Sequence, residues 1–123
     1  MKLRLHGNSI RFRLRKPDVR QLLDTGSVFE ATCFGPESNL VCRLEIGGET
    51  VRASFESAEL KVRVPRAMVK TWADTDQIGI SADQPNGNGG VLKILIEKDF
   101  ACRDGENAES QEGAYENPLG TVC

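Results

Sequence analysis

The sequence predicts an α+β fold, mainly β, in which a β-β-α-β-β unit occurs twice. The two units make either an eight-stranded antiparallel barrel or two packed sheets, with two short helices outside. Three observations predict this. Apolar and polar residues alternate with period two through most of the first 97 residues, the pattern of half-buried strands. Two short stretches break the alternation with helical spacing. The segments around those stretches also match each other at an offset of 50 residues.

The elements follow in order. Leu3 and Leu5 alternate with Lys2, Arg4 and His6, and after Gly7-Asn8 the residues Ile10, Phe12 and Leu14 alternate with Arg11, Arg13 and Arg15. Two such runs around a Gly-Asn turn predict a hairpin. Further strands are expected near 27–34, 40–46, 50–56, 59–64, 77–83 and 91–97. Turns fall at Gly35-Pro36, at Gly47-Gly48 and in the glycine-rich run 85–90. Helices are expected over 17–24, where Pro17 suits a first turn before Val19, Leu22 and Leu23, and over 66–74, with Val69, Trp72 and Ala73.

At the 50-residue offset Ile10-Arg11-Phe12-Arg13-Leu14 faces Leu60-Lys61-Val62-Arg63-Val64, and Asp24-Thr25 returns as Asp74-Thr75. Val41, Arg43, Leu44 and Ile46 face Val91, Lys93, Ile94 and Ile96. Self-similarity at a fixed period marks repeated units, so an internal duplication is expected, with halves at about 1–47 and 51–97. Coincidence between two similar strand-helix-strand stretches is the competing explanation. A barrel is favoured over two sheets because closure removes exposed strand edges.

Composition bounds the class. A chain of 123 residues is one domain's length, with 39% apolar and 28% charged residues and a net charge of -2. Residues 1–97 hold fourteen Lys and Arg against twelve Asp and Glu, whereas 98–123 hold Lys98 and Arg103 against six carboxylates. That last segment is expected to be an acidic C-terminal tail, partly packed through Phe100, Tyr115 and Leu119 or disordered. No stretch is long and apolar enough for a membrane helix, and the start lacks a signal-peptide core, so the expectation is a cytoplasmic protein without a membrane partner. The four cysteines make no Cys-x-x-Cys pair, and no spacing specifies a metal.

Candidate chemistry sits with the basic residues. The repeat pairs Arg11 with Lys61, Arg13 with Arg63 and Arg43 with Lys93, and Lys2, Arg4 and Arg52 extend the row. Residues two apart on a strand share a face. If the two ribs line a groove or lumen, their converging side chains would bind a phosphorylated ligand, since the guanidinium fork matches phosphate oxygens. The plain alternative is a solvated outer face of amphipathic strands, the norm for antiparallel sheets.

Other motifs are weaker. Glu45, Glu56 and Glu97 could hold a divalent cation beside a phosphate, but cross-strand pairing with Arg and Lys is the expected role. His6 has no Asp or Ser partner motif. Cys33 and Cys42 flank the turn symmetrically and are expected as two facing thiols, while Cys102 and Cys123 bracket the tail. The run 85–90 lacks the Gly-Lys-Ser/Thr ending of a phosphate loop and leads into a strand, so it is expected as a hairpin loop. Six carboxylates on a tether predict a tail that competes with anionic ligands for the basic face.

The stretches Lys2-Leu3-Arg4 and Gly7-Asn8-Ser9-Ile10-Arg11, the element Glu97-Lys98-Asp99-Phe100-Ala101-Cys102, and Asn117-Pro118 resemble a family of short bacterial proteins of unknown function. The resemblance spans nearly the whole chain and implies no activity or ligand. A looser likeness is to the triphosphate tunnel enzymes, eight-stranded barrels lined with Arg, Lys and Glu that bind triphosphates with a metal. Their N-terminal strand alternates glutamates and ends in lysine; here Lys2-Leu3-Arg4-Leu5-His6 is basic instead, which removes the implied metal ligands.

The leading expectation is therefore a binding domain for an anionic or phosphorylated partner, with nucleic-acid backbone as one form of it. Arg11, Arg13, Lys61, Arg63, Arg43 and Lys93 are the ligand-binding candidates; no catalytic residue and no cofactor is specified. One alternative is a metal-assisted phosphohydrolase with Arg13, Arg63 and Lys93 on phosphate and Glu45 and Glu97 on the cation. Another is a structural or protein-interaction subunit. Few aromatics, 6% of the chain, disfavour single-strand base stacking.

Overall fold

The computed structural model describes residues 1–100. In chain order they form β1 (Lys2–His6), β2 (Ser9–Leu14), α1 (Lys16–Thr25), β3 (Ser27–Gly35) and β4 (Ser38–Ile46). The same order then repeats as β5 (Arg52–Glu56), β6 (Glu59–Val64), α2 (Arg66–Asp74), β7 (Gly79–Pro85) and β8 (Val91–Lys98). Local chemistry sets the boundaries. The Asp18 carboxylate accepts the Arg15 backbone N–H at 2.9 Å at the start of α1. Gly26, at φ +89°, turns the chain out of the helix while its N–H bonds the Leu22 carbonyl at 2.9 Å. The predicted strands and helices all form, with ends within a few residues of those expected.

The strands make two four-stranded sheets, β1-β2-β8-β7 and β3-β4-β6-β5. Each half thus gives its first hairpin to one sheet and its second hairpin to the other, so the halves interlock. Both helices carry the chain from sheet to sheet, touch each other, and close one end of the core. Because the helices reverse the chain before the second hairpin, the central strands meet in parallel: β2 with β8 and β4 with β6. The expectation of an antiparallel barrel is corrected here. The sheets are mixed and stay separate, and edge strands face each other across two seams, β1 with β3 and β5 with β7, without a hydrogen-bonded ladder.

One core lies between the sheets. Ile10, Phe12 and Leu14 on β2 correspond to Leu60, Val62 and Val64 on β6, and Leu22 to Trp72, both fully buried. Fully burying a side chain of this kind stabilises by about 1.5–3 kcal/mol. Beyond the helices the correspondence shifts. Val28 and Leu44 match Ile80 and Ile96, an offset of 52 rather than 50, confirmed by the pairings Val28 with Leu44 and Ile80 with Ile96. Two additional residues lie in the connection between α2 and β7.

Candidate functional site

The six candidate residues alternate with core residues on their strands and so face outward, but on two different sheets. Arg11, Arg13 and Lys93 stand on the outer face of the β1-β2-β8-β7 sheet. Lys61, Arg63 and Arg43 stand on the outer face of the other, with the core between them. The expected converging pocket is not formed, because alternation that buries Phe12 and Val62 must turn their neighbours away from each other. The same separation splits the hydrolase set: Glu97 sits with Arg13, and Glu45 with Arg63. Among the described residues no three His, Cys, Asp or Glu come together as metal ligands.

The two faces are built alike and charged differently. Register places Lys2 opposite Arg13 and Arg13 beside Glu97, and the equivalent row reads Arg52, Arg63, Glu45. The next row reads Arg4, Arg11, Leu95 on one sheet and Ser54, Lys61, Arg43 on the other. On the β3-β4-β6-β5 sheet three of the four cations have carboxylate partners. Arg63 directs Nε and Nη2 onto one Glu45 oxygen at 3.0 and 2.9 Å. Arg43 Nε meets Glu59 at 3.4 Å with its guanidinium 4.8 Å from the Phe29 ring centroid, and Lys61 reaches Glu59 at 3.8 Å. Only Arg52 lacks an ion pair there among the described residues.

On the other sheet Glu97 is taken by Arg11 at 3.1 Å, and Lys2, largely exposed, reaches Asp99 at 3.4 Å. Arg4, Arg13 and Lys93 have no ion pair among the described residues. Two like-charged pairs, Lys2 with Arg13 and Arg4 with Arg11, stand directly opposite across β1 and β2. Opposed like charges destabilise a sheet, so this block of four cations is held at a cost. Lys2 and Arg4 belong to it as fully as the predicted Arg11 and Arg13. Lys93 and Arg43, paired by the fixed offset, are not equivalent: Arg43 corresponds to Leu95, and Lys93 to Val41. The counterpart that the offset missed is Glu45 with Glu97.

The seams differ too. At the β5/β7 seam the Gln84 side-chain amide accepts the Ala53 N–H at 2.8 Å and donates to the Ala53 carbonyl at 3.0 Å. Thr32 holds the equivalent place at the β1/β3 seam, opposite Leu40 as Gln84 is opposite Leu92. It is too short for those bonds, and a cleft of about 350 Å³ remains, lined by Leu3, Glu30, Thr32, Leu40 and Cys42 among others. The Met1 amine lies at its end, 3.0 Å from both Asp18 and Glu30. Burial opposes that charge, but the hydrogen bonds the amine donates to both carboxylates, together with their negative charge, outweigh it and raise the amine above its ordinary range.

Burial also pushes the Cys42 thiol up, and the Glu30 carboxylate adds to it, so its sulfur stays protonated and unreactive. The expected facing thiols are corrected: Cys42 is buried opposite Glu30, whereas Cys33 is exposed opposite Asn39. His6 ends β1 on the outer face, with its carbonyl accepting from Ser9 Oγ at 2.8 Å. The glycine-rich run is the β7–β8 hairpin loop, closed by an Asn86 N–H to Gly90 carbonyl bond of 3.2 Å. A second cleft of about 460 Å³ lies between the helices, with Leu14, Val19 and Leu23 in its wall and a rim of mixed charge. None of the six candidates lines either cleft. Cys102, Cys123 and the acidic segment lie outside the described residues, and no described helix is long and apolar enough to cross a membrane.

The chain belongs to a family of unknown function (DUF7009), whose model matches residues 1–119. No curated protein and no solved structure matches the sequence. The looser likeness to triphosphate tunnel enzymes finds no relative to support it, and two separate sheets enclose no tunnel.

Proposed function

We propose that this protein is a binding domain for a linear phosphate polymer, and that the β1–β2 outer face is the surface that reads it. The observation that carries the reading is the block of Lys2, Arg4, Arg11 and Arg13, with like charges opposed in register and Arg4 and Arg13 unpaired among the described residues. A bound anion turns that repulsion into charge-assisted hydrogen bonds. Cations two residues apart on a strand repeat at about 6.8 Å. A flat rib with that repeat suits successive phosphates of an extended backbone better than one small molecule, which would need a concave site. Lys93 extends the rib on β8. The equivalent face on β5 and β6 leaves one cation, Arg52, without an ion pair among the described residues and serves as a built-in comparison; an internal duplication is the proposed origin of both.

The test is fluorescence anisotropy with a labelled single-stranded oligonucleotide across a salt series, with linear polyphosphate as competitor. The expected result is affinity that falls with salt, competition by polyphosphate, and about tenfold or greater loss in the Arg4→Ala/Arg13→Ala variant. The salt slope should drop by about 1.4 for two lost single-strand contacts. Arg63→Ala should leave affinity within about twofold, since an internally paired surface arginine contributes little. Equal losses from the two variants, or no binding at low salt, would refute the reading.

A further inference from the structure

We propose that the β1/β3 seam is a slot for an extended peptide segment of a partner protein, with an apolar residue flanked by acidic ones. The slot follows from backbone geometry and does not depend on phosphate-polymer binding. In a hairpin closed by two residues the pair flanking the turn is hydrogen-bonded, and the pairs alternate from there. His6 and Ser9 flank the Gly7-Asn8 turn, so Arg4 and Lys2 bond across to β2, while the N–H and C=O groups of Leu3 and Leu5 point away from it, off the sheet edge. The equivalent hairpin obeys the same rule, and there the outward groups of Ala53 are both taken by Gln84.

The molecule thus shows what satisfies such an edge: one planar amide, donating and accepting at once. Leu3 presents the same pair of groups to the cleft, where Thr32 offers no amide. A peptide backbone laid along β1 supplies it, as strand addition to a sheet edge does elsewhere. Register then dictates the side chains. A residue opposite Leu3 points inward over Leu40 and Cys42, both apolar. Its two neighbours fall beside Lys2 and Arg4, whose ammonium and guanidinium groups stand on the outer face and favour carboxylates. Glu30 on the cleft wall is held by the Met1 amine at 3.0 Å, so charge complementarity at the outer face selects an acidic–apolar–acidic segment over a basic one.

The probe is acetyl-Glu-Val-Glu-Val-Glu-amide, titrated into the labelled full chain and followed by amide NMR shifts. The expected result is that shifts concentrate at Lys2–Leu5 and at Thr32, and that the Leu3 amide gains exchange protection. Thr32→Gln, which installs at this seam the amide found at the other, should weaken the peptide about tenfold, about one hydrogen-bonded pair's worth. The same peptide N-methylated at its valines should weaken as much, a result that needs no protein variant to fold. Arg13→Ala should leave the peptide within about twofold, while Thr32→Gln leaves oligonucleotide binding unchanged, so the slot and the phosphate face fail separately. Absence of binding at millimolar peptide, shifts centred elsewhere, or equal affinity of the N-methylated peptide would overturn the slot.

Discussion

Hairpins β1–β2 and β5–β6 hold equivalent places in the two sheets, with the same pairing register and one row of like charge pattern, yet they differ in how their cations are paired and in what caps their outer edge. On β5–β6 the cations meet Glu45 and Glu59, and the outward backbone of Ala53 is capped by Gln84. On β1–β2 two cation pairs oppose each other in register, against the one pair Arg52 and Arg63 on β5–β6, and the edge at Leu3 opens on a cleft. A group whose bonding capacity is used inside the fold has less left to offer a partner than one whose capacity is free. Under the two proposals above, the second hairpin holds the molecule together and the first meets partners.

The widest test of that division lies behind the hairpins, where Leu22 and Trp72 anchor the two helices. Trp72 is fully buried and its indole N–H donates to the Ile78 carbonyl at 2.9 Å, inside the connection that carries the two additional residues. Trp72→Ala should cost about 4 kcal/mol in denaturant unfolding, from the lost volume and the orphaned carbonyl. Leu22→Ala should cost about 3 kcal/mol. The larger loss in the second half is the expected sign, and the reverse order would blur the division.

Gln84→Ala comes next. It strips both bonds from Ala53 and leaves a half-buried edge unsatisfied, for an expected loss of about 2 kcal/mol. Hydrogen exchange gives the sharper readout. In the native chain the Ala53 amide should exchange slowly and the Leu3 amide fast; in the variant both should be fast. Slow exchange at Leu3 in the native chain would mean that the two seams are not different in kind.

Much of this was legible in the alternation. Ile10, Phe12 and Leu14 against Arg11 and Arg13 says which side chains point inward, and β2, β4, β6 and β8 follow that rule, whereas β3 buries only Val28 and leaves Phe29 and Phe34 exposed. Which strands become neighbours was not legible, because β2 and β8 pair across most of the chain and local pattern carries no partner information. The barrel expectation fails at the seams, which stay open both where Gln84 reaches across and where Thr32 does not, and alternation places both as ordinary polar residues in mid-strand. The site failed for a subtler reason. The connection after α2 is longer by two residues, and a shift of two leaves strand parity unchanged. Lys93 therefore still looked like the partner of Arg43, and the true match of Glu45 with Glu97 was hidden. Parity places the basic ribs of each half on one face within each strand, but it cannot say that two such faces look in opposite directions.

The smallest expected effect is at the turns, where the two hairpins trade places. Gly7, at φ +54°, supplies the left-handed conformation in the first turn, whereas the second uses Ser57 and Ala58 at φ +51° and +59°. Two consecutive left-handed residues define a type I′ turn, which matches the twist of a hairpin and is best served by Asn-Gly. Each side chain there crowds its own carbonyl, so the second hairpin carries strain that the first avoids. The Ala58 carbonyl also accepts the Val41 N–H at 3.0 Å, as the Asn8 carbonyl accepts that of Lys93 at 2.8 Å, so the turn is tied into the parallel pairing and cannot relax by itself. Ser57→Asn/Ala58→Gly keeps that carbonyl and removes the crowding. Glycine's greater freedom in the unfolded chain offsets part of the gain. The net stabilisation should be about 1 kcal/mol, read as a raised Tm with unchanged oligonucleotide affinity. A lowered Tm would mean that the left-handed pair is not the conformation this hairpin adopts, and that the structural role given to β5–β6 rests on its edge and its ion pairs alone.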